Sequence, residues 1–130
     1  MKITVRKATT EDAGCILEMT REAFSRYIKE VGIEDMEALH ETLGDVLEDI
    51  MEGFIFIAFA DTVPAGSVRI KVNSDDGTAI ISRFGVRQRF SKIGIGSRLL
   101  NEAEKTLREL GIRRVCLHTA LDHPFLPNLY

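Results

Sequence analysis

Apolar and polar residues alternate in the first stretch of the chain and then recur at helical spacing. The segment from Lys2 to Ala8 alternates, as is typical of a strand. Thr9 followed by Asp12 matches the capping-box spacing of a helix start, and Gly32 would end that helix. The residues that share the predicted apolar face are Ile16, Leu17, Phe24, Tyr27, Ile28 and Val31.

A second amphipathic helix and three strands are predicted next. The apolar stripe of this helix, which Gly53 ends, consists of Met36, Leu39, Leu43, Val46, Leu47, Ile50 and Met51. The strands have the sequences FIFIAFA, GSVRIKVN and TAIISRFGV, and the turn segments DTVPAG and NSDDG separate them. Because these turns are short, we expect the neighbouring strands to pair antiparallel.

The last part of the chain reads as a helix followed by a strand. The helix runs from about Gly94 to Leu110, and its predicted inward residues are Ile95, Leu99, Leu100, Ala103, Leu107 and Leu110. The segment RRVCLHTAL then forms a strand, which the helical crossover places parallel to the preceding strand. The pattern predicts a single α/β domain over residues 1–130, with a mixed sheet and the order β-α-α-β-β-β-α-β.

Composition supports one soluble domain in the cytoplasm. The longest apolar run, FIFIAFA, is far shorter than the roughly 20 residues that span a bilayer. Cys15 and Cys116 are far apart and form no CxxC motif, so we expect two buried thiols in a reducing compartment and no metal site.

The net charge of -3 is divided unequally between the halves of the chain. Residues 1–65 contain 14 acidic and 6 basic residues, whereas residues 66–130 contain 6 acidic and 11 basic residues. A nucleic-acid-binding domain would carry a basic face with interleaved aromatic residues, which is missing from the sequence. The split favours an anion bound by the second half and a neutral or cationic molecule near the first.

The segment RFSKIGIGSRLL is the best candidate for the anion site. A helix N-terminus offers N–H groups without intrahelical partners, and Gly94 and Gly96 leave them accessible while Ser97 adds a hydroxyl. Arg87, Arg89 and Lys92 surround the turn, which indicates a phosphate or pyrophosphate. The alternative is that the two glycines only permit a tight turn and close helix packing.

Two common nucleotide-binding loops do not fit this segment. A phosphate loop of the Walker A type requires a glycine–lysine pair, and the segment has none. A dinucleotide fingerprint requires G-x-G-x-x-G after a parallel strand, whereas GIGSRL ends in leucine and follows an antiparallel meander.

The segment VRQRFSKIGIGSRLL, Val86 to Leu100, resembles motif A of the GCN5-related N-acetyltransferase (GNAT) family. The predicted order of elements is also similar to that family's up to its fifth strand, so the resemblance implies the acyl-CoA N-acyltransferase (GNAT) fold. It implies acetyl-CoA as co-substrate, with its pyrophosphate on the turn and its pantetheine arm along the strand end. Ser91 departs from the family, which usually has Gln or Arg there. The implied cofactor-binding residues are Phe84, Gly85, Val86, Arg87, Arg89, Ser91, Lys92, Ile93, Gly94, Ile95, Gly96 and Ser97.

The resemblance also implies the reaction. The chain would transfer an acetyl group to a primary amine of a small molecule or peptide by direct attack in a ternary complex. The Val86 N–H would polarise the thioester carbonyl, and Tyr130 would be the acid that protonates the departing thiolate. The acidic first half favours a cationic acceptor. The alternative is a catalytically impaired module of the same fold that binds coenzyme A or dimerises.

The sequence does not single out a general base. Many relatives carry a carboxylate on the fourth strand, where this chain has Ser82 and Arg83. Glu34, Asp35, Glu37 and His40 would border the acceptor site, or would form a solvated helix face. His118 would relay a proton or be a hydrogen-bonded structural histidine, and His123 gives no signal.

The last expectation concerns the end of the domain. The family normally continues through two more strands, so we expect a domain shortened after its fifth strand. The segment RRVCLHTAL would then have an exposed apolar edge. Either the sequence is a fragment, or a second copy covers this edge in a homodimer.

Overall fold

The computed structural model describes residues 1–31, 41–73 and 75–117. Five strands form one sheet: β1 (Ile3–Lys7), β2 (Phe54–Ala60), β3 (Val63–Asn73), β4 (Thr78–Val86) and β5 (Arg114–Leu117). The helices are α1 (Ala13–Val31), α2 (Leu43–Glu52) and α3 (Ile95–Glu109), and 3-10 turns lie at Thr10–Asp12 and Gln88–Phe90. The predicted fold class and order of elements are confirmed.

The strands lie in the order β1-β2-β3-β4-β5 across the sheet. The first four pair antiparallel, as their short connections require. β5 pairs parallel to β4, from Thr78 opposite Arg114 to Ile81 opposite Leu117. The helical crossover between them is α3, so the predicted direction of β5 is confirmed.

The two faces of the sheet bury two separate apolar clusters. On one face, Leu99, Leu100 and other inward residues of α3 pack against Val68 and Ile70 of β3. On the opposite face, side chains of α1 and α2 cover the alternate residues of β2, which are Ile55 and Ile57. Side chains of neighbouring strand residues point to opposite faces, and this is why β2 contributes to both clusters.

Two predicted element starts are wrong. β3 begins at Val63 and not at Gly66, because Asp61 adopts a left-handed conformation with φ 55° and the chain reverses within two residues. α2 begins at Leu43, because Thr42 is extended and its N–H donates to Asp45 Oδ2 at 2.9 Å in a capping box. The predicted stripe residues Met36 and Leu39 lie outside the described residues.

Some residues expected to be buried are exposed. Leu110 is 50% exposed because it follows the last turn of α3, and Leu43 and Met51 are exposed at the two ends of α2. Cys116 is exposed on β5, and Cys15 is half-buried, so the prediction of two buried thiols is wrong. Burial raises the pKa of the Cys15 thiol.

The outer edge of the sheet at β5 carries exposed apolar side chains. Val115 is 43% exposed and Leu117 is 39% exposed. The homodimer expected at this edge stays a prediction. Among the described helices, none combines the length and the apolar character that crossing a membrane would need.

Candidate active site

The connection between β4 and α3 is a compact turn. The Phe90 N–H donates to the Arg87 carbonyl at 2.9 Å, and both the N–H and the hydroxyl of Ser91 bond to the Gln88 carbonyl. Lys92 then adopts φ 64° and Gly94 φ 90°, both in the left-handed region. These two reversals direct the chain into the first turn of α3.

The turn leaves a run of backbone donors without acceptors. The first backbone hydrogen bond of α3 joins the Arg98 N–H to the Gly94 carbonyl at 3.1 Å. Among the described residues, no backbone carbonyl accepts from the N–H groups of residues 92–97. These N–H groups lie at the positive end of the helix dipole, so the turn can bind an anion through its backbone alone.

The structure favours glycine at positions 94 and 96 of the turn for two different reasons. Gly94 has open space around it, since a Cβ there would meet nothing within 4 Å, and its positive φ is what favours glycine. Gly96 has an ordinary conformation, but a Cβ there would lie 3.1 Å from Phe84 Cζ. Gly96 therefore allows α3 to lie close to β4, which is the packing role considered as an alternative for both residues.

The basic residues predicted around the turn separate in the structure. Arg89 and Lys92 are exposed beside the turn, and the Arg89 guanidinium lies 4.7 Å from the centre of the Phe90 ring. Arg87 instead extends toward α1, where its Nη2 lies 3.0 Å from Glu22 Oε2 and its Nη1 donates to the Pro64 carbonyl. Hydrogen bonding to Glu22 raises the pKa of Arg87.

Within the described residues, one side of the end of β4 has no strand partner. The Arg87 N–H donates to the Ala65 carbonyl of β3 at 2.7 Å. Because successive N–H groups of an extended strand point to opposite sides, the Val86 N–H points away from β3. In the described part of β5, pairing reaches only residue 81 of β4, so the stretch from Phe84 to Val86 has no strand partner on that side.

A β-bulge shapes the middle of β4. Ser67 pairs with Gly85 and Arg69 pairs with Ser82, so two residues, Arg83 and Phe84, lie opposite one residue of β3. Arg83 has φ 50°, which a non-glycine residue rarely adopts. The extra residue moves Phe84 and Val86 onto the α3 face, while the side chain of Arg83 reaches the α1 and α2 face.

A cleft lies between α1 and the end of β4. The lining includes Met19, Thr20 and Ala23 from α1 and Ser67, Arg83 and Val86 from the sheet. Arg83 is 25% exposed, and its Nε lies 3.4 Å from Glu41 Oε2. The cleft therefore adjoins the end of β4, which leads into the glycine turn.

A buried ion network lies beside the cleft. Arg69 on β3 has a side chain that is 1% exposed, and both of its terminal nitrogens lie 2.5 Å from the Glu41 carboxylate. It also donates to Asp49 Oδ2 at 3.0 Å and to the Thr20 hydroxyl at 3.1 Å. Only its Nε has no partner in the described part of the molecule. The network joins α1, α2, β3 and the Arg83 side chain of β4.

Sequence reasoning missed this network and the Glu22–Arg87 ion pair. Arg69 carried a signal, because an arginine between Val68 and Ile70 in a central strand must find a buried partner. Its partner Glu41 is 28 positions away in the chain, and no periodicity connects the two.

Several predicted residues lie outside the described residues. They are Tyr130, Glu34, Asp35, Glu37, His40, His118 and His123. Ser82 and Arg83 lie on β4 as expected. In the ranges 1–31, 41–73 and 75–117, no three His, Cys, Asp or Glu side chains group into a possible metal site.

Comparison with known protein families assigns the chain to one of them. A family model described as the acetyltransferase (GNAT) family matches residues 16–130. The chain is a member of the GNAT family. The predicted resemblance to this family is thereby confirmed. The structure describes the glycine turn and the end of β4 of this GNAT domain.

Solved GNAT-fold structures resemble the chain over most of its length. The PaiA N-acetyltransferase of Thermoplasma acidophilum, solved in complex with coenzyme A, is 25% identical with a TM-score of 0.80. The match covers 92% of this chain and 80% of that one. A predicted acetyltransferase of Clostridium acetobutylicum, solved with acetyl-CoA, is 16% identical with a TM-score of 0.73, and the match covers 98% of this chain and 88% of that one.

A third structure illustrates the fold inside a larger protein. The N-acetylglutamate synthase of Neisseria gonorrhoeae, complexed with coenzyme A and N-acetyl-glutamate, is 21% identical with a TM-score of 0.76. The match covers 98% of this chain and 28% of that one. No curated protein matches the chain.

Proposed function

We propose that this GNAT domain transfers the acetyl group of acetyl-CoA to a primary amine by direct attack in a ternary complex. The observation that carries the proposal is the run of backbone N–H groups over residues 92–97, which have no described acceptors and precede α3. A pyrophosphate has the charge and the acceptor oxygens that such a turn binds. The coenzyme A complex of the Thermoplasma relative supports the same assignment.

The cofactor would be held mainly by backbone groups. The turn from Ser91 to Ser97 receives the pyrophosphate, and Arg89 and Lys92 are exposed beside it for a further phosphate. The strand end from Phe84 to Val86 has an open side on which an extended pantetheine arm can pair as an additional strand would. The Ser91 side chain is already engaged with the Gln88 carbonyl, so Ser91 contributes to the shape of the turn.

The reaction would take place where the strand end meets the cleft. The Val86 N–H donates to the thioester carbonyl oxygen and stabilises the negative charge that develops there. The acceptor amine attacks from the cleft after losing its proton. We keep Tyr130 as the proposed acid for the departing thiolate, on the resemblance to the family alone.

The test of the cofactor assignment uses a change of charge at Ser97. This residue is exposed in the first turn of α3, and its substitution leaves the packing of Gly96 on Phe84 intact. Acetyl-CoA should raise the melting temperature of the wild-type protein, and Ser97→Glu should abolish the shift because its carboxylate repels the pyrophosphate. An acid in the first turn stabilises a helix, so the variant should fold.

The matched control is Ser97→Gln, which has nearly the same shape without the charge. It should retain the shift. If the wild-type protein shows no shift with acetyl-CoA, the cofactor assignment is wrong. If Ser97→Glu retains the shift as Ser97→Gln does, the placement of the pyrophosphate at this turn is wrong.

A second candidate function is a module of the same fold that binds coenzyme A without turnover. One observation favours it: the described lining of the cleft contains no Asp, Glu or His that could accept a proton. Release of free thiol from acetyl-CoA in the presence of amines distinguishes the two. A melting shift without thiol release over a broad panel of amines supports the module, and amine-dependent release supports the enzyme.

A further inference from the structure

Arg83 is the charged residue that the fold places most directly in the cleft. It occupies the bulge of β4 with φ 50°, a conformation that L-residues other than Asn and Asp rarely adopt. Backbone conformations of this kind concentrate at functional sites, because the surrounding structure must enforce them. The bulge carries the Arg83 side chain to the cleft, three residues before Val86, which ends β4.

The guanidinium of Arg83 retains free donors. Only its Nε makes a hydrogen bond, to Glu41 Oε2 at 3.4 Å, and within the described residues neither terminal nitrogen bonds to an acceptor. The two neighbouring arginines differ. Arg69 uses both terminal nitrogens on the Glu41 carboxylate, and Arg87 uses its nitrogens on Glu22 and the Pro64 carbonyl.

The described lining of the cleft is positively charged. The charged residues of its described lining are Arg83 and Arg87, and no described Asp or Glu lines it. Glu22 neutralises Arg87. Glu41 lies closer to Arg69, at 2.5 Å, than to Arg83, at 3.4 Å. Asp49 contacts both Arg69 and Lys71, so two bases other than Arg83 already face these two acids. Arg83 is thus a half-buried guanidinium beside the cleft, and within the described residues its two terminal nitrogens have no acceptor.

We propose that the acceptor of this domain is an amine that also carries a carboxylate, and that Arg83 binds the carboxylate through its terminal nitrogens. A guanidinium matches a carboxylate with two parallel hydrogen bonds, which fixes orientation as well as position. The proposal rests on the proposed function, since it assigns the acceptor of that same site. It differs from the cationic acceptor that the acidic first half of the chain favours. Within the described residues, Glu41 and Asp49 are engaged by Arg69.

The experiment compares amino acids with the amines that lack only the carboxylate. The protein is first saturated with coenzyme A, so that no turnover occurs, and is then titrated calorimetrically with three pairs. The pairs are lysine and 1,5-diaminopentane, phenylalanine and 2-phenylethylamine, and leucine and 3-methylbutylamine. At least one amino acid should bind about 10-fold or more tightly than its decarboxylated partner, as expected for hydrogen bonds to a charged group.

Arg83→Gln tests whether this residue is responsible. It should weaken binding of the preferred amino acid by about 10- to 100-fold and leave binding of its decarboxylated partner unchanged. Arg108→Gln is the matched control, because Arg108 is 79% exposed on α3 and, within the described residues, pairs only with Glu104. The control should bind both members of the pair like the wild type.

The outcomes separate this inference from the proposed function. If coenzyme A itself does not bind, the proposed function fails. If coenzyme A binds but no amino acid is preferred over its amine, or if Arg83→Gln retains the preference, the assignment of a carboxylate to Arg83 is wrong while the cofactor assignment stands.

Discussion

The two faces of the sheet use different chemistry to form the two halves of the candidate active site. On the α3 face, the core beneath the glycine turn is apolar throughout, and the turn offers backbone N–H groups. On the α1 and α2 face, the core contains the buried guanidinium of Arg69 with Glu41 and Asp49, and charged side chains border the cleft.

Because of this difference, we expect the two halves of the site to respond differently to substitution. A backbone cradle depends on conformation, so we expect the turn to tolerate Ser91, at the position where the family resemblance implies Gln or Arg. The opposite face depends on the identity of side chains that come from distant parts of the chain. We therefore expect substitutions on the α1 and α2 face to act through unpaired charge and substitutions in the turn to act through backbone conformation.

The largest expected effect is at Glu41. Glu41→Gln removes the charge that both terminal nitrogens of Arg69 contact, and breaking a buried ion pair from one side costs about 3–5 kcal/mol. Asp49 still contacts Arg69, so we expect the lower end of this range. Urea unfolding monitored by circular dichroism measures the loss.

Two further variants sharpen the result. Replacing both partners, with Glu41→Met and Arg69→Met together, should restore most of the stability because no unpaired charge stays buried. Glu104→Gln, at an exposed pair on α3, should change the free energy of unfolding by less than about 0.5 kcal/mol. A loss at Glu41 no larger than the loss at Glu104 would contradict the contrast between the two faces.

A smaller effect is expected from glycine conformation in the turn. Gly94→Ala adds a Cβ that meets no atom within 4 Å, so its cost is that of holding φ at 90°, about 1 kcal/mol. Gly14→Ala is the matched change, because Gly14 lies in α1, has no positive φ and also has open space. It should stabilise the protein by about 0.5 kcal/mol, since alanine favours helix.

Thermal unfolding measures the melting temperature of each variant. We expect Gly94→Ala to lower the melting temperature and Gly14→Ala to raise it. If Gly94→Ala is as stable as the wild type, the left-handed conformation is not what favours glycine at the start of α3.

The smallest expected effect concerns pH. Two hydrogen bonds from Arg6, together with the Thr9 N–H, lower the pKa of Asp12 from 3.8 to about 2. Because the unfolded chain then binds this proton more readily than the folded one, the stabilisation is present above about pH 4 and is lost as the pH falls toward 2. Arg6 is half exposed and screened by water, which limits the size of the effect.

Asp12→Asn isolates this contribution. The difference in urea midpoint between wild type and variant should shrink from pH 6 to pH 2.5. A difference that stays constant over this interval would show that the Asp12 carboxylate does not stabilise the fold through its charge.

Much of the fold could be predicted, because the secondary-structure elements and strand directions follow from the local pattern of apolar residues and turns. The alternation in FIFIAFA, the helical spacing from Ile95 to Leu107 and the short turns specified elements and strand directions. Errors occurred where a single residue decided the boundary: Asp61 reverses the chain in two residues, and Thr42 starts α2. Helical periodicity predicts that Leu110 faces inward, but the residue is exposed, because periodicity does not show where the last turn of a helix leaves the core.

The candidate site could be predicted in part, for a similar reason. The glycine turn is contiguous in sequence, so its spacing and its basic neighbours were visible, although Arg87 turned out to extend toward Glu22 on α1. The charged contacts of the cleft join residues that are far apart in the chain, and nothing local indicates which acid meets which base.

The sequence by itself determined the order of elements, the helix N-terminus behind β4 and the family, because each depends on neighbouring residues in the chain. Only the tertiary structure decided that Glu41 contacts Arg69, that Arg87 extends toward α1, and that the β4 bulge carries Arg83 to the cleft. Those facts depend on strand register and on the packing of α1 and α2 against the sheet, which bring distant residues within hydrogen-bond distance.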